Sequence, residues 1–151
     1  MVKPIPDGYH TVTPYLCVND GAAAIDFYKR ALNAQELFRM QSPDGRVAHA
    51  ELQIGESRVM LAGEFPEMNF RSPKTLGGSA IMMHLYVDDC DAWFNRAVEA
   101  GAKVTRPLAD QFYGDRGGMV EDPFGHSWYL ATHVEDVSEE ELAERAKKER
   151  G

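Results

Sequence analysis

Alternating hydrophobic and polar positions divide most of the chain into short strands, and two amphipathic helices interrupt them. The clearest alternation covers residues 81–87, where Met83 and Leu85 share one face and His84 and Tyr86 share the other. Two aspartates follow, and their side chains are suited to cap a helix. This stretch therefore predicts a strand that leads directly into a helix.

The same pattern occurs earlier in the chain. Leu16 and Val18 alternate with Tyr15 and Cys17, and an Asn-Asp pair then precedes an Ala-rich helix predicted over 21–32. A strand-to-helix unit that recurs within one chain indicates a duplicated module.

The full pattern predicts an α+β fold of two β-α-β-β-β modules that form a single domain over residues 10–135. Module one covers 10–64 and module two covers 79–133, and 136–151 is a helical tail that begins at a capping box from Ser138. The predicted elements are strands at 10–18, 36–41, 46–54, 58–62, 81–87, 103–106, 119–121 and 127–132, helices at 21–32 and 91–100, an irregular arm at 1–9, a link at 63–78 and a Gly-rich loop at 111–118.

Composition narrows the function classes. A length of 151 residues suits one compact domain, and the net charge of -8 argues against binding to nucleic acid or to anionic membranes. No apolar run approaches the ~18 residues that a membrane span needs. Cys17 and Cys90 form no CxxC motif, and we find no signal peptide, so we expect reduced thiols in a cytoplasmic protein.

Several motifs, in this order along the chain, resemble those of the vicinal oxygen chelate superfamily. This superfamily includes glyoxalase I, bleomycin resistance proteins, fosfomycin resistance enzymes and extradiol dioxygenases. The motifs shared with the superfamily are Leu16-Cys17-Val18-Asn19-Asp20, Leu85-Tyr86-Val87-Asp88-Asp89 and Asp122-Pro123-Phe124-Gly125-His126-Ser127-Trp128. Those that resemble its PhnB-like branch are Phe27-Tyr28, Pro43-Asp44-Gly45, His49-Ala50-Glu51-Leu52 and Tyr113-Gly114-Asp115-Arg116.

The resemblance implies a glyoxalase/bleomycin resistance/extradiol dioxygenase-like fold, in which curved sheets enclose a cavity and the helices lie outside. It also implies a homodimer whose sheets pair across subunits. Catalytic members hold a divalent metal with His and Glu on inward-facing strand positions. The matching positions here are Thr13, Met82, Tyr129 and, in module one, Met60 or Ala62. None suits a hard divalent ion, so we expect no metal cofactor at the usual site.

A displaced site remains an alternative. His49, Glu51, Glu64 and His84 share the inward parity of their predicted strands, and they could hold a metal if they converged. The other interpretation is a polar, hydrogen-bonded cavity wall, in which His49 and Glu51 pair as neighbours on one strand. The catalytic candidates are therefore His49, Glu51 and His84, with the His49/Glu51 pair as a general base.

Other side chains are candidates for ligand contacts. The predicted ligand-binding set is Tyr15, Glu64, His84, Tyr113, Arg116 and Tyr129, with Tyr86 as a further aromatic wall. The alternative for the tyrosines is ordinary core or dimer packing, which is slightly favoured for Tyr15 and Tyr86. Arg116 suits an anionic group, and its alternative role is an ion pair with Asp115 or Glu121. We interpret Cys17 as an inert buried thiol rather than a nucleophile, and His126 as a residue that fixes a turn.

These observations favour a protein that encloses a small organic molecule without the usual metal and that forms a homodimer. The alternative is a lyase or isomerase of the glyoxalase type that uses a displaced metal or acid–base chemistry. A third interpretation is a dimeric scaffold whose cavity no longer functions. Nothing in the sequence identifies the ligand.

Overall fold

The computed structural model describes residues 2–150 and contains two four-stranded sheets and four helices. Sheet one consists of β1 (Tyr15–Val18), β2 (Gln35–Gln41), β3 (Val47–Ile54) and β4 (Ser57–Gly63). Sheet two consists of β5 (Met82–Tyr86), β6 (Lys103–Asp110), β7 (Asp115–Glu121) and β8 (Ser127–His133). The helices are α1 (Gly21–Leu32), α2 (Pro73–Leu76), α3 (Cys90–Ala100) and α4 (Glu139–Arg150).

The two sheets have the same topology. Their strand orders are β1-β4-β3-β2 and β5-β8-β7-β6. In sheet one β1 pairs with β4 in parallel, and in sheet two β5 pairs with β8 in parallel. The first strand of each sheet leads into a helix, so each half of the chain follows the order β-α-β-β-β. This arrangement confirms the predicted α+β fold of two duplicated modules.

Both module helices begin and end at residues that the sequence pattern indicates. The side chains of Asp20 and Asp89 accept hydrogen bonds from backbone amides in the first turns of α1 and α3. Asn33 and Gly101 end these helices in the left-handed conformation, which a chain reversal after a helix commonly requires.

The two modules meet mainly through α1 and α3, which pack against each other. Their apolar sides join the inner residues of both sheets in one continuous core. The helices thus lie where the modules meet, rather than outside two facing sheets as we expected from the family. The opposite face of each sheet, which we call its open face, points away from this core, so within residues 2–150 the two open faces do not face each other.

Predicted extents are wrong at β1, at β6 and at the boundary between the 111–118 loop and β7. β6 continues to Asp110 rather than ending at residue 106. β1 begins at Tyr15, because the carbonyl of Pro14 accepts a bond from β4 but its ring nitrogen has none to donate. The segment 111–118 is a loop only in its first half, and Gly117 and Gly118 belong to β7. A Cβ atom on Gly117 would lie 2.7 Å from the Tyr129 ring. One on Gly118 would lie equally close, 2.7 Å, to the Phe94 ring, so these glycines permit close packing.

The link and the tail both contain short helical segments. The link includes a 3₁₀ turn at Pro66–Met68 followed by α2. In the tail, Ser138 accepts a bond from the Glu141 amide, as the predicted capping box requires. Arg145 of α4 reaches the carboxylate of Glu135 and the carbonyl of Phe112, which attaches the tail to the body. None of the helices within residues 2–150 combines the length and the apolar character needed to cross a bilayer.

Candidate functional site

A chain of hydrogen bonds lies on the open face of sheet one. The Tyr15 hydroxyl lies 2.8 Å from His49 Nδ1, and His49 Nε2 lies 2.9 Å from Glu51 Oε2. The other Glu51 oxygen accepts a hydrogen bond from the hydroxyl of Tyr9, in the N-terminal arm. We call Tyr9, Tyr15, His49 and Glu51 the polar chain. It joins β1, β3 and the arm, and it lies across β4.

The electrostatics of the polar chain define which groups donate. Hydrogen bonds from Tyr9 and His49 lower the pKa of Glu51, so its carboxylate is ionised and only accepts. His49 Nε2 must therefore carry the proton in that contact, which leaves Nδ1 of the neutral ring as an acceptor. The Tyr15 hydroxyl donates to it. Burial and the charge of Glu51 raise the pKa of Tyr15, which keeps it a phenol at neutral pH.

Apolar side chains surround the polar chain. The Phe70 ring packs edge-on against Tyr15 at 5.7 Å between centroids, and the Phe38 ring lies 6.3 Å from that of His49. Phe38 and Met40 are exposed on β2, opposite Glu51 and His49 respectively. The open face of sheet one therefore presents one hydrogen-bonding centre within an apolar patch.

An aromatic cluster lies on the open face of sheet two. The His84 ring stacks on the Tyr129 ring at 4.9 Å with an interplanar angle of 25°, and it lies 4.8 Å from the Tyr86 ring. The hydroxyls of Tyr113 and Tyr129 are 3.3 Å apart. We call His84, Tyr86, Tyr113 and Tyr129 the aromatic cluster. Burial and the Tyr113 hydroxyl raise the pKa of Tyr129, so this phenol stays protonated.

A buried carboxylate holds one end of the aromatic cluster. Asp115 accepts a hydrogen bond from the Tyr86 hydroxyl at 2.7 Å and contacts His133 Nδ1 at 2.8 Å. The other ring nitrogen of His133 lies 2.8 Å from Asp136. Hydrogen bonds to these two carboxylates raise the pKa of His133. Asp115 thus connects the exposed ring of Tyr86 to His133 at the end of β8, and His133 continues the connection to Asp136.

Tyr9 and Asp115 belong to these networks, although neither was predicted from the sequence as a site residue. Tyr9 lies in an arm without periodicity, and its partner Glu51 is 42 residues away, so no local pattern indicates the contact. Asp115 has a signal, since it follows Gly114 within the PhnB-like motif, but we considered it only as a partner for Arg116.

The four residues of the predicted displaced metal site do not converge. His49 and Glu51 pair as neighbours, in keeping with the polar-wall interpretation. His84 belongs to the other sheet. One oxygen of Glu64 accepts bonds from the amide and hydroxyl of Ser72 and the hydroxyl of Thr75, which fixes the start of α2. Across residues 2–150, no three His, Cys, Asp or Glu side chains are grouped so that they could hold a metal ion.

The donor chemistry at the usual family positions does not fit a divalent metal. Thr13 offers a neutral hydroxyl and Met82 a soft thioether, and Tyr129 is a protonated phenol. Met60, in register with both Tyr15 and Glu51, adds a second thioether. These residues could line a cavity, but they are poor ligands for Zn²⁺, Mn²⁺ or Mg²⁺.

Two other candidates have structural partners. Arg116 donates to both oxygens of Asp91, at the start of α3, and to Asp110 at 3.3 Å. The ion-pair alternative named Asp115 or Glu121 as its partner, and that prediction is wrong, because the partners are Asp91 and Asp110. The Arg116 side chain is thus directed to α3 rather than to the aromatic cluster. His126 Nε2 donates to the backbone carbonyl of Cys17, which ties the last turn of module two to β1.

The thiol of Cys17 is a weak candidate for chemistry. Burial and the charge of Glu64 raise its pKa to about 11, so the thiolate needed for nucleophilic attack is scarce at neutral pH. Both cysteines are buried and free. Cys17 therefore acts as a small apolar residue beneath the connection that follows β4.

A cleft of about 840 Å³ lies beside the edge strand β5. Its walls are residues 10 and 12–14, which precede β1, the turn between β3 and β4, and β5 itself. It reaches Met82, His84 and Tyr86 of the open face of sheet two. The cleft therefore gives access to the aromatic cluster from the side where the two modules meet.

Comparison with known proteins identifies relatives. The model of the Glyoxalase/Bleomycin resistance protein/Dioxygenase superfamily matches residues 9–130. An uncharacterised protein of Mycobacterium tuberculosis H37Rv is 46% identical over 134 residues, which cover 87% of this chain and 79% of that protein. The match includes most of both modules.

Solved structures share the fold. TioX from Micromonospora sp. ML1 superimposes with a TM-score of 0.65 at 28% identity, over 83% of this chain and 99% of that one. The PhnB protein from Bacillus cereus gives a TM-score of 0.62 at 17% identity, over 82% and 99% of the two chains, and this likeness concerns the fold alone.

Proposed function

Because the chain belongs to the Glyoxalase/Bleomycin resistance protein/Dioxygenase superfamily, we propose that it binds a small organic molecule against its open sheet faces, without the usual metal. One observation carries the proposal. The inward positions that hold the metal in catalytic members carry Thr13, Met82 and Tyr129, and the surrounding surface is aromatic. Stacked rings with phenol hydroxyls are typical of pockets for small organic ligands.

The open faces support a homodimer as the form that binds. On one chain Tyr15, Met82 and Tyr86 are 45%, 46% and 63% exposed, although apolar sheet faces are normally covered. Each chain carries one open face of each kind. A two-fold axis can therefore cover the polar chain of one subunit with the aromatic cluster of its partner, twice over. The enclosed cavity expected of the family would then form between subunits.

Metal analysis tests the first part of this proposal. We expect purified protein to contain far less than one Zn, Mn, Ni or Fe ion per chain, and we expect a chelator to leave its melting temperature unchanged. A stoichiometric ion whose removal lowers the melting temperature would contradict the metal-free assignment.

Binding is tested with N-phenyl-1-naphthylamine, an uncharged aromatic probe whose fluorescence rises in apolar surroundings. Replacing His84 by Ala should weaken probe binding roughly 3- to 10-fold, because an aromatic contact contributes about 0.5–1.5 kcal/mol. Leu76→Ala removes an exposed apolar side chain of α2 that is not part of the aromatic cluster, and it serves as the matched control. Equal affinities for the two variants would exclude the aromatic cluster as the binding surface.

Sedimentation velocity tests the dimer. We expect a dimer at micromolar concentration and a monomer for Met82→Asp, since a carboxylate buried without a partner is strongly unfavourable. Leu76→Asp introduces the same charge on α2 and should remain dimeric. A monomeric wild-type protein would rule out a cavity shared between subunits.

The glyoxalase-type enzyme remains the second candidate. A displaced metal site has no support from the geometry, because its four predicted ligands are dispersed. The acid–base version is favoured by one contact, the pairing of His49 with Glu51 at 2.9 Å.

A further inference from the structure

We propose that Tyr15, His49 and Glu51 form a metal-independent proton relay in which the Tyr15 hydroxyl is the group that meets the ligand. The ligand class is an uncharged small organic molecule whose apolar body carries one acidic C–H, O–H or N–H group. This inference rests on the proposed function, since it names the chemistry of the same open face. It adds to that function a catalytic role for Tyr15, which the sequence indicated only as a ligand contact.

The order of the three groups gives the relay its direction. The Glu51 carboxylate holds the proton of His49 on Nε2, at 2.9 Å. The free lone pair of Nδ1 then faces the Tyr15 hydroxyl, at 2.8 Å. Because the hydroxyl proton of Tyr15 points to His49, the lone pairs of the Tyr15 oxygen remain available to a ligand on the open face. The site therefore presents a hydrogen-bond acceptor and selects a ligand that donates.

The proton-transfer step balances without a cofactor. The Tyr15 oxygen accepts the ligand's acidic proton while the hydroxyl proton of Tyr15 moves to His49 Nδ1. The ligand keeps the electron pair of the broken bond as a carbanion, an oxyanion or a nitrogen anion. His49 becomes an imidazolium that Glu51 stabilises, and the phenol is regenerated. Reversal returns the proton at the same or a neighbouring atom, which is an isomerisation.

The surroundings of the relay suit this step. Phe38, Met40 and Phe70 flank the polar chain and give it an apolar rim. Proton transfers and charge stabilisation are more effective where water is excluded, and a covering partner sheet would exclude it. The raised pKa of Tyr15 agrees with the geometry, because a phenol that stays protonated needs an adjacent base to become reactive.

Charge explains why an uncharged ligand is favoured. Glu51 places a full negative charge behind Tyr15, and its second oxygen is occupied by the Tyr9 hydroxyl. Arg58 lies nearby, but its guanidinium is stacked over the Tyr9 ring at 5.2 Å. An anionic ligand would meet the Glu51 charge directly, whereas a neutral donor would not.

The first experiment observes the tautomer of His49 in the full-length protein by ¹⁵N NMR of its ring nitrogens, assigned by their loss in His49→Gln. We expect a protonated Nε2 and an unprotonated, hydrogen-bonded Nδ1, and we expect Tyr15→Phe to shift the Nδ1 resonance. A proton on Nδ1 of the neutral ring, or an Nδ1 resonance indifferent to Tyr15→Phe, would overturn the relay.

The second experiment measures the reactivity of Tyr15 towards p-nitrophenyl acetate by peptide mass spectrometry. In that reaction the Tyr15 oxygen bonds to the acetyl carbon, p-nitrophenolate leaves, and the phenol proton passes to His49. His49→Gln should slow acetylation of Tyr15 by roughly 10²-fold, the usual range for loss of a general base. Glu51→Gln should slow it as well, while Glu99→Gln, at an exposed position of α3, should not.

Equal acetylation rates in the wild type and His49→Gln would overturn the relay, whatever the fold of Glu51→Gln. The naphthylamine probe separates this result from failure of the proposed function. A protein that binds the probe but shows no His49-dependent reactivity loses only the relay. One that shows the reactivity but binds no probe at either open face loses the binding proposal and keeps the relay.

Discussion

At the scale of single residues, one buried carboxylate connects the two modules through a hydrogen bond. Asp122 is only 3% exposed and accepts four hydrogen bonds. Two come from the amides of Phe124 and His126 in its own turn, one from the Trp128 ring nitrogen at 2.8 Å, and one from the Tyr28 hydroxyl of α1. A buried charge is tolerated only when its lone pairs are satisfied, so each donor matters.

Tyr28→Phe should destabilise the protein by about 1–2 kcal/mol, because it leaves a buried acceptor short of one donor. Urea denaturation measures the change. Tyr86→Phe is the matched control, since that hydroxyl also donates to a buried aspartate, Asp115, but from an exposed ring where water can replace it. We expect less than about 0.5 kcal/mol there. Equal losses in the two variants would show that burial does not decide the cost.

His133 gives the protein a pH-dependent contribution of known sign. Hydrogen bonds to Asp115 and Asp136 raise its pKa in the folded protein, so folding favours its protonated form. Its stabilising contribution is fully present below the unfolded pKa of about 6.5 and is lost as pH rises through the folded pKa. The stability difference between wild type and His133→Gln should therefore be largest in mild acid and shrink in mild base. Urea unfolding of both proteins across this range measures it, and a difference that grows with pH would contradict the assignment.

At the scale of elements, close packing sets limits that helix and strand preferences do not express. Gly21 opens α1 directly after its cap, and a Cβ atom there would lie 2.6 Å from Cβ of Val47 on β3. Alanine is ordinarily the better helix former. The approach of α1 to sheet one therefore depends on the absence of a side chain at this position.

Gly21→Ala should destabilise the protein by about 1–3 kcal/mol through overpacking, against the gain expected from helix propensity. In a Val47→Gly background Gly21→Ala should cost less than it does in the wild type, because Val47→Gly removes the Cβ atom that the new methyl group would meet. Ala22→Ser, at an exposed position of the same turn, is the control. If Gly21→Ala is as stable as the wild type, the contact does not restrict the helix.

The same packing explains what the sequence could and could not predict. Alternation located the strands that carry His49 and His84, and the cap residues Asp20 and Asp89 located both module helices. These signals are local, because they depend on residues a few positions apart. Gly117 and Gly118 looked like a flexible loop because nothing local indicates the rings of Tyr129 and Phe94 that pack against them.

The candidate site divides in the same way. Strand parity correctly placed His49 beside Glu51, since both residues belong to β3. The hydrogen bonds of Tyr9 to Glu51 and of Arg116 to Asp91 depend on how separate elements pack against each other. The periodicity within one element does not specify that packing. The aromatic cluster was predicted residue by residue, but its separation from Tyr15 follows from the helices lying between the modules.

At the scale of the whole molecule, duplication has produced two similar modules with one core. The apolar residues of both sheets and both module helices form a single buried cluster. Polar contacts add to it, since Tyr28 of module one reaches Asp122 and the Cys17 carbonyl accepts from His126. Each module helix also buries part of its surface against the helix of the other module.

The chain should therefore unfold as one cooperative unit rather than module by module. Native-state hydrogen exchange measures this, at one fixed protein concentration so that any subunit association stays constant. The slowest amides of β3 and β8 should exchange with the same free energy and the same dependence on urea, and α4 should exchange faster by local opening. Tyr28→Phe should lower the values for both strands equally, because it weakens the contact that the modules share. A lower free energy for one sheet, with a shallower urea dependence, would show instead that the modules open separately.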